Sequence, residues 1–259
     1  MRPLFLTVAL LALTACSSPA PFPSGRIVVL THPFDAETVY WPTSPEFEIE
    51  TLSEGVTDGG YFYLSKQFST AEHGGTHIDA PIHFFEDRNT VDEINVEQLI
   101  GPGVTIDVTE ACAEDPDYRV SIEDFRDWEA TNGRMPHGAI VLLRTGFGEY
   151  WPDRARYMGT DARGPDAVAD LHFPGLDAEA VPWLRERGIR AIGLDTPSID
   201  HGPSQDFPSH VALFEHNVPV FENVANLGEL PDRGFTVNAL PMKIRGGSGG
   251  PLRIVAIVE

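Results

Sequence analysis

The chain has 259 residues, with 39 Asp and Glu against 18 Lys and Arg, a formal charge of −21. So acidic a balance disfavours nucleic acid and anionic membrane surfaces as partners and favours solubility. The length suffices for one sizeable core and suits a single α/β domain.

From the N-terminus, Arg2 and the apolar run Leu4 to Leu13 read as a signal peptide over residues 1–15, too short to span a bilayer comfortably. Leu13-Thr14-Ala15-Cys16 resembles a bacterial lipobox, which implies cleavage before Cys16 and acylation of its sulfur; an ordinary secretory signal is the alternative. Ser17 beside that cysteine resembles lipoproteins sorted to an outer membrane, so the expected location is the cell envelope, facing the periplasm, with membrane contact only through the lipid. Residues 16–25 then form a tether and 26–259 the folded domain. With Cys16 acylated, only Cys112 remains and no intramolecular disulfide is possible. Acidic neighbours raise the Cys112 thiol pKa and argue against a nucleophilic role.

Short apolar, β-branched runs predict strands at Arg26–Leu30, Phe47–Leu52, Tyr61–Phe68, Val104–Val108, Ala139–Leu143, Arg190–Leu194, Val218–Phe221, Phe235–Ile244 and Arg253–Val258. Ser121-Ile122-Glu123-Asp124 predicts a capping box, opening a helix that stops near Gly133. Asp177 caps a second helix ending at Gly188, and a third runs from about Pro208 to His216. Strands and helices alternate in the centre while both ends read as strand, so the expected fold is α/β: one domain, a mixed β-sheet flanked by helices. Gly246 to Pro251 lacks the helix and the Lys-Ser/Thr of a phosphate loop and reads as a flexible turn.

The most telling stretch is His73-Gly74-Gly75-Thr76-His77-Ile78-Asp79-Ala80-Pro81-Ile82-His83-Phe84. Its three imidazoles and one carboxylate fall on odd positions, which an extended backbone aims to one side and a helix does not. Neutral imidazoles with a carboxylate make a borderline N/O site for zinc, manganese or a similar divalent ion, and the two glycines let the backbone pass close to it. The plain alternative is a polar strand whose histidines only hydrogen-bond. His73, His77 and Asp79 form a half-shell with open positions, and a divalent ion there lowers the pKa of bound water toward ~7. His83 is either a fourth ligand or a proton shuttle. The other histidines, His32, His137, His172, His201 and His216, lack partners at ligand spacing and read as surface or loop residues.

This run closely resembles the H-x-G-T-H-x-D-x-P-x-H motif of the cyclase family, which contains bacterial kynurenine formamidases (arylformamidases) and isatin hydrolases. The resemblance extends to Asp195-Thr196-Pro197-Ser198-Ile199-Asp200, to His210, to Pro219-Val220-Phe221-Glu222-Asn223-Val224 and to the glycine-rich tail before Arg253. It implies a swivelling β/β/α-like fold and, in the formamidase branch, two metal ions. His73, His77 and Asp79 would hold the first, with Asp79 bridging to a second held by His210 and Glu222. His83 would be the acid/base residue, and Trp41 the aromatic that covers the substrate ring. Without the resemblance, His210 reads equally well as a helix residue stacked on Phe214, Glu222 as an exposed strand-end charge, and Trp41 as packing. Asp195 and Asp200 either line the pocket or form a turn.

The resemblance implies a metal-dependent amidohydrolase acting on carbon–nitrogen bonds other than peptide bonds. Metal-held hydroxide would attack an amide carbonyl while His83 protonates the leaving nitrogen. N-formylkynurenine, an aryl formamide of tryptophan breakdown, is the implied substrate. Alternatives are a cyclic amide (isatin-like) or lactone hydrolase and, from another class, an envelope lipoprotein that binds metal or an aromatic solute without turnover. Relatives resemble homodimers or larger homo-oligomers.

Overall fold

A computed structural model describes residues 24–259. The expected signal peptide, Cys16 and the expected tether as far as residue 23 lie outside the described residues. Among the described residues twelve strands run in the order β1 (Arg26–Val29), β2 (Glu48–Val56), β3 (Phe62–Ser69), β4 (His77–Asp79), β5 (Ile100–Asp107), β6 (Arg119–Val120), β7 (Ile140–Arg144), β8 (Gly175–Leu176), β9 (Ala191–Leu194), β10 (Val220–Glu222), β11 (Phe235–Pro241) and β12 (Gly249–Val258). The α-helices are α1 (Thr109–Glu114), α2 (Ile122–Asn132), α3 (Arg154–Met158), α4 (Val181–Arg187) and α5 (Pro208–Phe214).

Eight strands form one mixed sheet in the order β1-β12-β11-β5-β7-β9-β10-β4. Within it β5, β7, β9 and β10 run parallel, and the others join antiparallel. The apolar run of β7 shows how the sheet is filled. Val141 and Leu143 point to a core shared with α2, α4 and α5, whereas Ile140 and Leu142 point to a second core with β1, β11 and β12. Both faces are covered, so the strand reads as continuously hydrophobic. This agrees with the expected single mixed-sheet domain.

One feature differs from an open sheet. β4 pairs with β10 on one side and with Gly249–Pro251 of β12 on the other, so seven strands close into a ring. Three residues of the glycine-rich segment expected to be a flexible turn therefore serve as strand.

Helix ends follow their local chemistry. The Ser121 backbone N–H and hydroxyl both donate to Asp124 at the start of α2, and Gly133 ends it with a positive φ of 79°. Asp177 accepts from the Glu179 N–H at the turn leading into α4, and Gly188 closes that helix at φ 71°. The hairpin β2–β3 is the exception to burial: almost every residue in both strands is exposed, including Ile49, Leu52, Phe62 and Phe68.

His32 lies in a loop, one of its two expected readings, but half-buried rather than on the surface. Its ring stacks on Trp151 at 4.2 Å, its Nε2 lacks a hydrogen-bond partner, and burial pulls its pKa to about 4. The unfolded chain binds this proton near pH 6.5, so below that value it takes up more protons than the fold does. Stability should therefore fall as pH drops from 6.5 and level off below about 4, by on the order of 3 kcal/mol. His32→Phe, which keeps a ring on Trp151, should remove this acid-side loss in urea melts at pH 7 and pH 4.5; an unchanged pH slope would refute it.

Candidate active site

β4 carries His77 and Asp79 on one face and Ile78, fully buried, on the other. β10 lies beside it with Glu222 in register with His77, so the two side chains share a face as a cross-strand pair. Glu222 is only 4 % exposed, which rules out the strand-end charge expected as its alternative. α5 brings His210 from the opposite side, on the buried face that also carries Leu213 and Phe214. Its contact with Phe214, at 5.4 Å between ring centroids, exists alongside its place in the cluster.

The expected extended run from 73 to 83 is not continuous. Only His77–Asp79 is strand. His73 enters through the bend at Gly74-Gly75, and His83 ends a 3-10 turn, Pro81–His83. The glycines answer to packing rather than to an ion: a Cβ on Gly74 would lie 2.0 Å from the Tyr40 ring, and one on Gly75 would lie 2.7 Å from Phe34.

These turns still bring all the expected residues together. Asp79 Oδ1 lies 2.6 Å from His73 Nδ1 and 3.1 Å from His77 Nε2, while its Oδ2 lies 3.1 Å from His210 Nε2. Glu222 approaches His77 Nε2 at 3.4 Å and His210 Nε2 at 3.3 Å. The His83 ring stacks on His73 at 3.7 Å.

The far nitrogens of two histidines are already committed. His77 Nδ1–H donates to the Gly75 carbonyl at 2.9 Å, and His210 Nδ1–H to Asp200 at 2.7 Å. Both therefore turn Nε2 toward the two carboxylates, the tautomer in which imidazole ligates a metal. Asp200 is itself fixed by the backbone N–H groups of Ser209 and His210.

Charge tells the same story. Burial alone would lower the His77 pKa and raise that of Asp79. Instead Asp79 and then Glu222 lift His77 to about 9, and the hydrogen bond to Asp200, followed by those to Asp79 and Glu222, lifts His210 well above its usual range. The imidazoles of His73 and His77, with hydrogen bonds from His210 and His73, hold Asp79 well below the ordinary carboxylate value. Burial, then the Asp79 charge, push Glu222 up. The two buried carboxylates draw positive charge onto the imidazoles that face them, and a divalent ion of the zinc or manganese type, which this donor set fits, would supply that charge in the protons' place. Donor atoms of His77, Asp79 and Glu222 lie within 4.8 Å of one another, as do those of His73, Asp79 and His83, so Asp79 belongs to both groups.

His83 differs from the rest. Burial and the neighbouring imidazoles outweigh Asp79 and pull its pKa to about 4, so it is neutral near pH 7, and no hydrogen bond contributes to that shift. Its ring faces a cavity of about 250 Å³ that also holds Trp41, Phe84, Phe207 and Ser198 on its wall. Trp41 meets Phe173 and Phe207, both at 6.4 Å. Its loop is pinned from behind: Arg154 donates to the Tyr40 carbonyl at 3.0 Å, and Arg163 to those of Trp41 and Ser44. Phe207 adopts left-handed backbone angles (φ 47°, ψ 47°), a costly conformation for a bulky residue that holds its ring against Phe84.

Sequence reasoning missed Phe84, Phe207, Asn223, Glu72 and Ser248, and left Asp200 undecided. Asn223 follows Glu222 at φ 53° and ties the site together: it donates to the Gly75 carbonyl at 2.7 Å and accepts from Tyr157 at 2.8 Å. Asp195 does not line the cavity; it accepts from Thr145, Gly146 and Gly148 and holds their turn. Cys112 is buried, with its thiol pushed up to about 12 by burial and then by surrounding carboxylates, as expected for an inert residue.

Fold and site together define an α/β protein with a buried histidine–carboxylate cation site beneath an aromatic cavity. Residues 28–201 match the family described as "Putative cyclase", and the chain belongs to that family. It is 32 % identical to the isatin hydrolase of Roseibium aggregatum over 83 % of this chain and 82 % of that one. It is 29 % identical to a kynurenine formamidase of Bacillus cereus, covering 87 % and 94 % of the two chains. The solved structure of isatin hydrolase A from Ralstonia solanacearum superposes with a TM-score of 0.81 at 34 % identity, covering 90 % of this chain and 92 % of that one.

Proposed function

We propose that the protein is a metal-dependent hydrolase of non-peptide carbon–nitrogen bonds in small aromatic amides. The observation that carries this reading is the convergence of His73, His77, Asp79, His210 and Glu222 beside the free imidazole of His83, on the wall of an aromatic cavity. His73, His77 and Asp79 would hold one divalent ion, and Asp79 with His210 and Glu222 a second. Bound there, such ions would supply Lewis acidity toward the substrate carbonyl and lower the pKa of water. The chain's own residues do the rest. Trp41, Phe84 and Phe207 hold a flat ring. Neutral His83 accepts the proton of the attacking water and returns it to the departing nitrogen.

Aryl formamides such as N-formylkynurenine satisfy this chemistry. One observation favours the second reading, a cyclic aromatic amide of the isatin type. No Lys or Arg lines the cavity among the described residues. A neutral bicyclic amide needs no such partner, whereas the carboxylate of an amino-acid side chain does. Turnover measured on formanilide, N-formylkynurenine, isatin and an aryl lactone with Zn²⁺ or Mn²⁺ separates these readings. Isatin should be hydrolysed fastest, and about two ions should be retained per chain. Bound metal with no turnover on any of the four would make the protein a binder. One ion, unchanged in Glu222→Ala, would remove the two-ion assignment.

The exposed hairpin β2–β3 supports a homodimer or larger homo-oligomer: both faces of a two-stranded ribbon carry apolar side chains that a second copy would cover. A monomer by light scattering at micromolar concentration would remove that reading. The Leu13–Cys16 motif supports an envelope lipoprotein anchored through Cys16, checked by a palmitate label that Cys16→Ala must abolish.

A further inference from the structure

Glu72 precedes the first histidine of the motif, and Ser248 stands in the glycine-rich segment 176 residues later. The Ser248 backbone N–H and hydroxyl both reach Glu72 Oε2, at 2.9 and 2.7 Å, and Ser248 Oγ lies 2.8 Å from His73 Nε2. A carboxylate only accepts, so the single hydroxyl proton of Ser248 goes to Glu72 and leaves Oγ as an acceptor. The proton between Oγ and Nε2 therefore belongs to the imidazole. Nδ1, 2.6 Å from Asp79 Oδ1, is the nitrogen that faces the cluster. We propose that Glu72 and Ser248 are positioning residues that fix His73 as the Nε2–H tautomer and present its Nδ1 as the ligand atom. His77 and His210 present the opposite nitrogen.

The segment around Ser248 is built for this task. A Cβ on Gly249 would lie 2.6 Å from His73 Cε1, and one on Gly247 would lie 2.8 Å from Glu72 Oε1. Three further bonds hold the turn in place: the Ala80 N–H donates to the Ser248 carbonyl, the Val91 N–H to the Gly247 carbonyl, and the Gly246 N–H to Asp92. His73 needs such a holder more than its partners do. Its side chain is 23 % exposed, against 5 % or less for His77, Asp79, His210 and Glu222.

The inference rests on the metal reading, and its test separates the two. Zn²⁺ affinity by competition with a chromophoric chelator, the melting temperature of metal-free protein, and the His73 Nε2–H resonance in ¹⁵N-histidine-labelled protein are measured together. The proteins are wild type, Ser248→Ala, Ser248→Thr and Glu72→Gln. Ser248→Ala should weaken Zn²⁺ binding by about 10–100-fold and lose the slowly exchanging Nε2–H signal, with little change in melting temperature. Ser248→Thr, which keeps the hydroxyl, should restore most of both, and Glu72→Gln should fall between. Affinity within about twofold of wild type in Ser248→Ala, or a wild type lacking the protected Nε2–H, overturns the proposal. So does a loss that threonine does not rescue and that follows a fall in melting temperature. A wild type that binds no Zn²⁺ would defeat the metal reading alone, and the Nε2–H signal, read without metal, would still decide on Glu72 and Ser248.

Discussion

His83→Ala should retain metal and lose turnover by about 10²–10⁴-fold, the range of a positioned acid/base group. The reason lies in what the His83 ring lacks. His77 and His210 each have one nitrogen tied to a carbonyl or carboxylate behind them, the usual arrangement of a ligating imidazole. His83 has no such support: it stacks on His73 at 3.7 Å and opens to the cavity where the substrate ring would lie. Its pKa of about 4 keeps it neutral, so it can take a proton before it gives one back. Its donor atom is nevertheless within 4.8 Å of those of His73 and Asp79, so the geometry also admits a ligand. Chelator competition decides between the two. A drop in affinity of more than about 100-fold, beyond the range of a supporting residue and in parallel with activity, would make His83 a ligand.

Asp79→Asn should be more severe, abolishing measurable turnover and weakening Zn²⁺ binding by more than about 100-fold. Removing a residue that merely supports a ligand costs about 10–100-fold, and Asp79 stands closer than that. It meets three imidazoles at 2.6, 3.1 and 3.1 Å and belongs to both donor groups. The amide keeps the shape but removes the charge, leaving Glu222 as the one carboxylate within the ring of imidazoles. Saturating metal should not restore the rate. Recovery of more than about a tenth of wild-type turnover at high Zn²⁺ would show that Asp79 contributes affinity alone.

The half of the site that lies within eleven residues is legible because its chemistry is local. His73, His77, Asp79 and His83 stand out by spacing, and the structure brings them together even though the backbone bends twice rather than running straight. His210 and Glu222 lie more than 130 residues beyond Asp79, and only family resemblance links them to it in the sequence. Glu222 alone, at the end of a three-residue strand, carries no local mark of burial. The capping of α2 and α4 is readable because a cap is written in a few neighbouring residues. The pairing of β4 with β12 is not, since a three-residue strand has no periodicity to detect and its partner begins in a run of glycines. The same blindness hides Glu72 and Ser248, whose meaning arises only from a contact across most of the chain.

The seam between β4 and β12 bears on how the molecule matures. β4 emerges early in synthesis, but the strand that completes its surroundings, β12, follows it by some 170 residues. Contacts of such long separation form slowly, and a nascent chain that has not yet delivered β12 lacks both the wall behind Asp79 and the serine beside His73. On the proposed metal reading, cation capture would await β12, so a chain terminated before Gly249 should have no competent trap with which to withdraw ions from its surroundings.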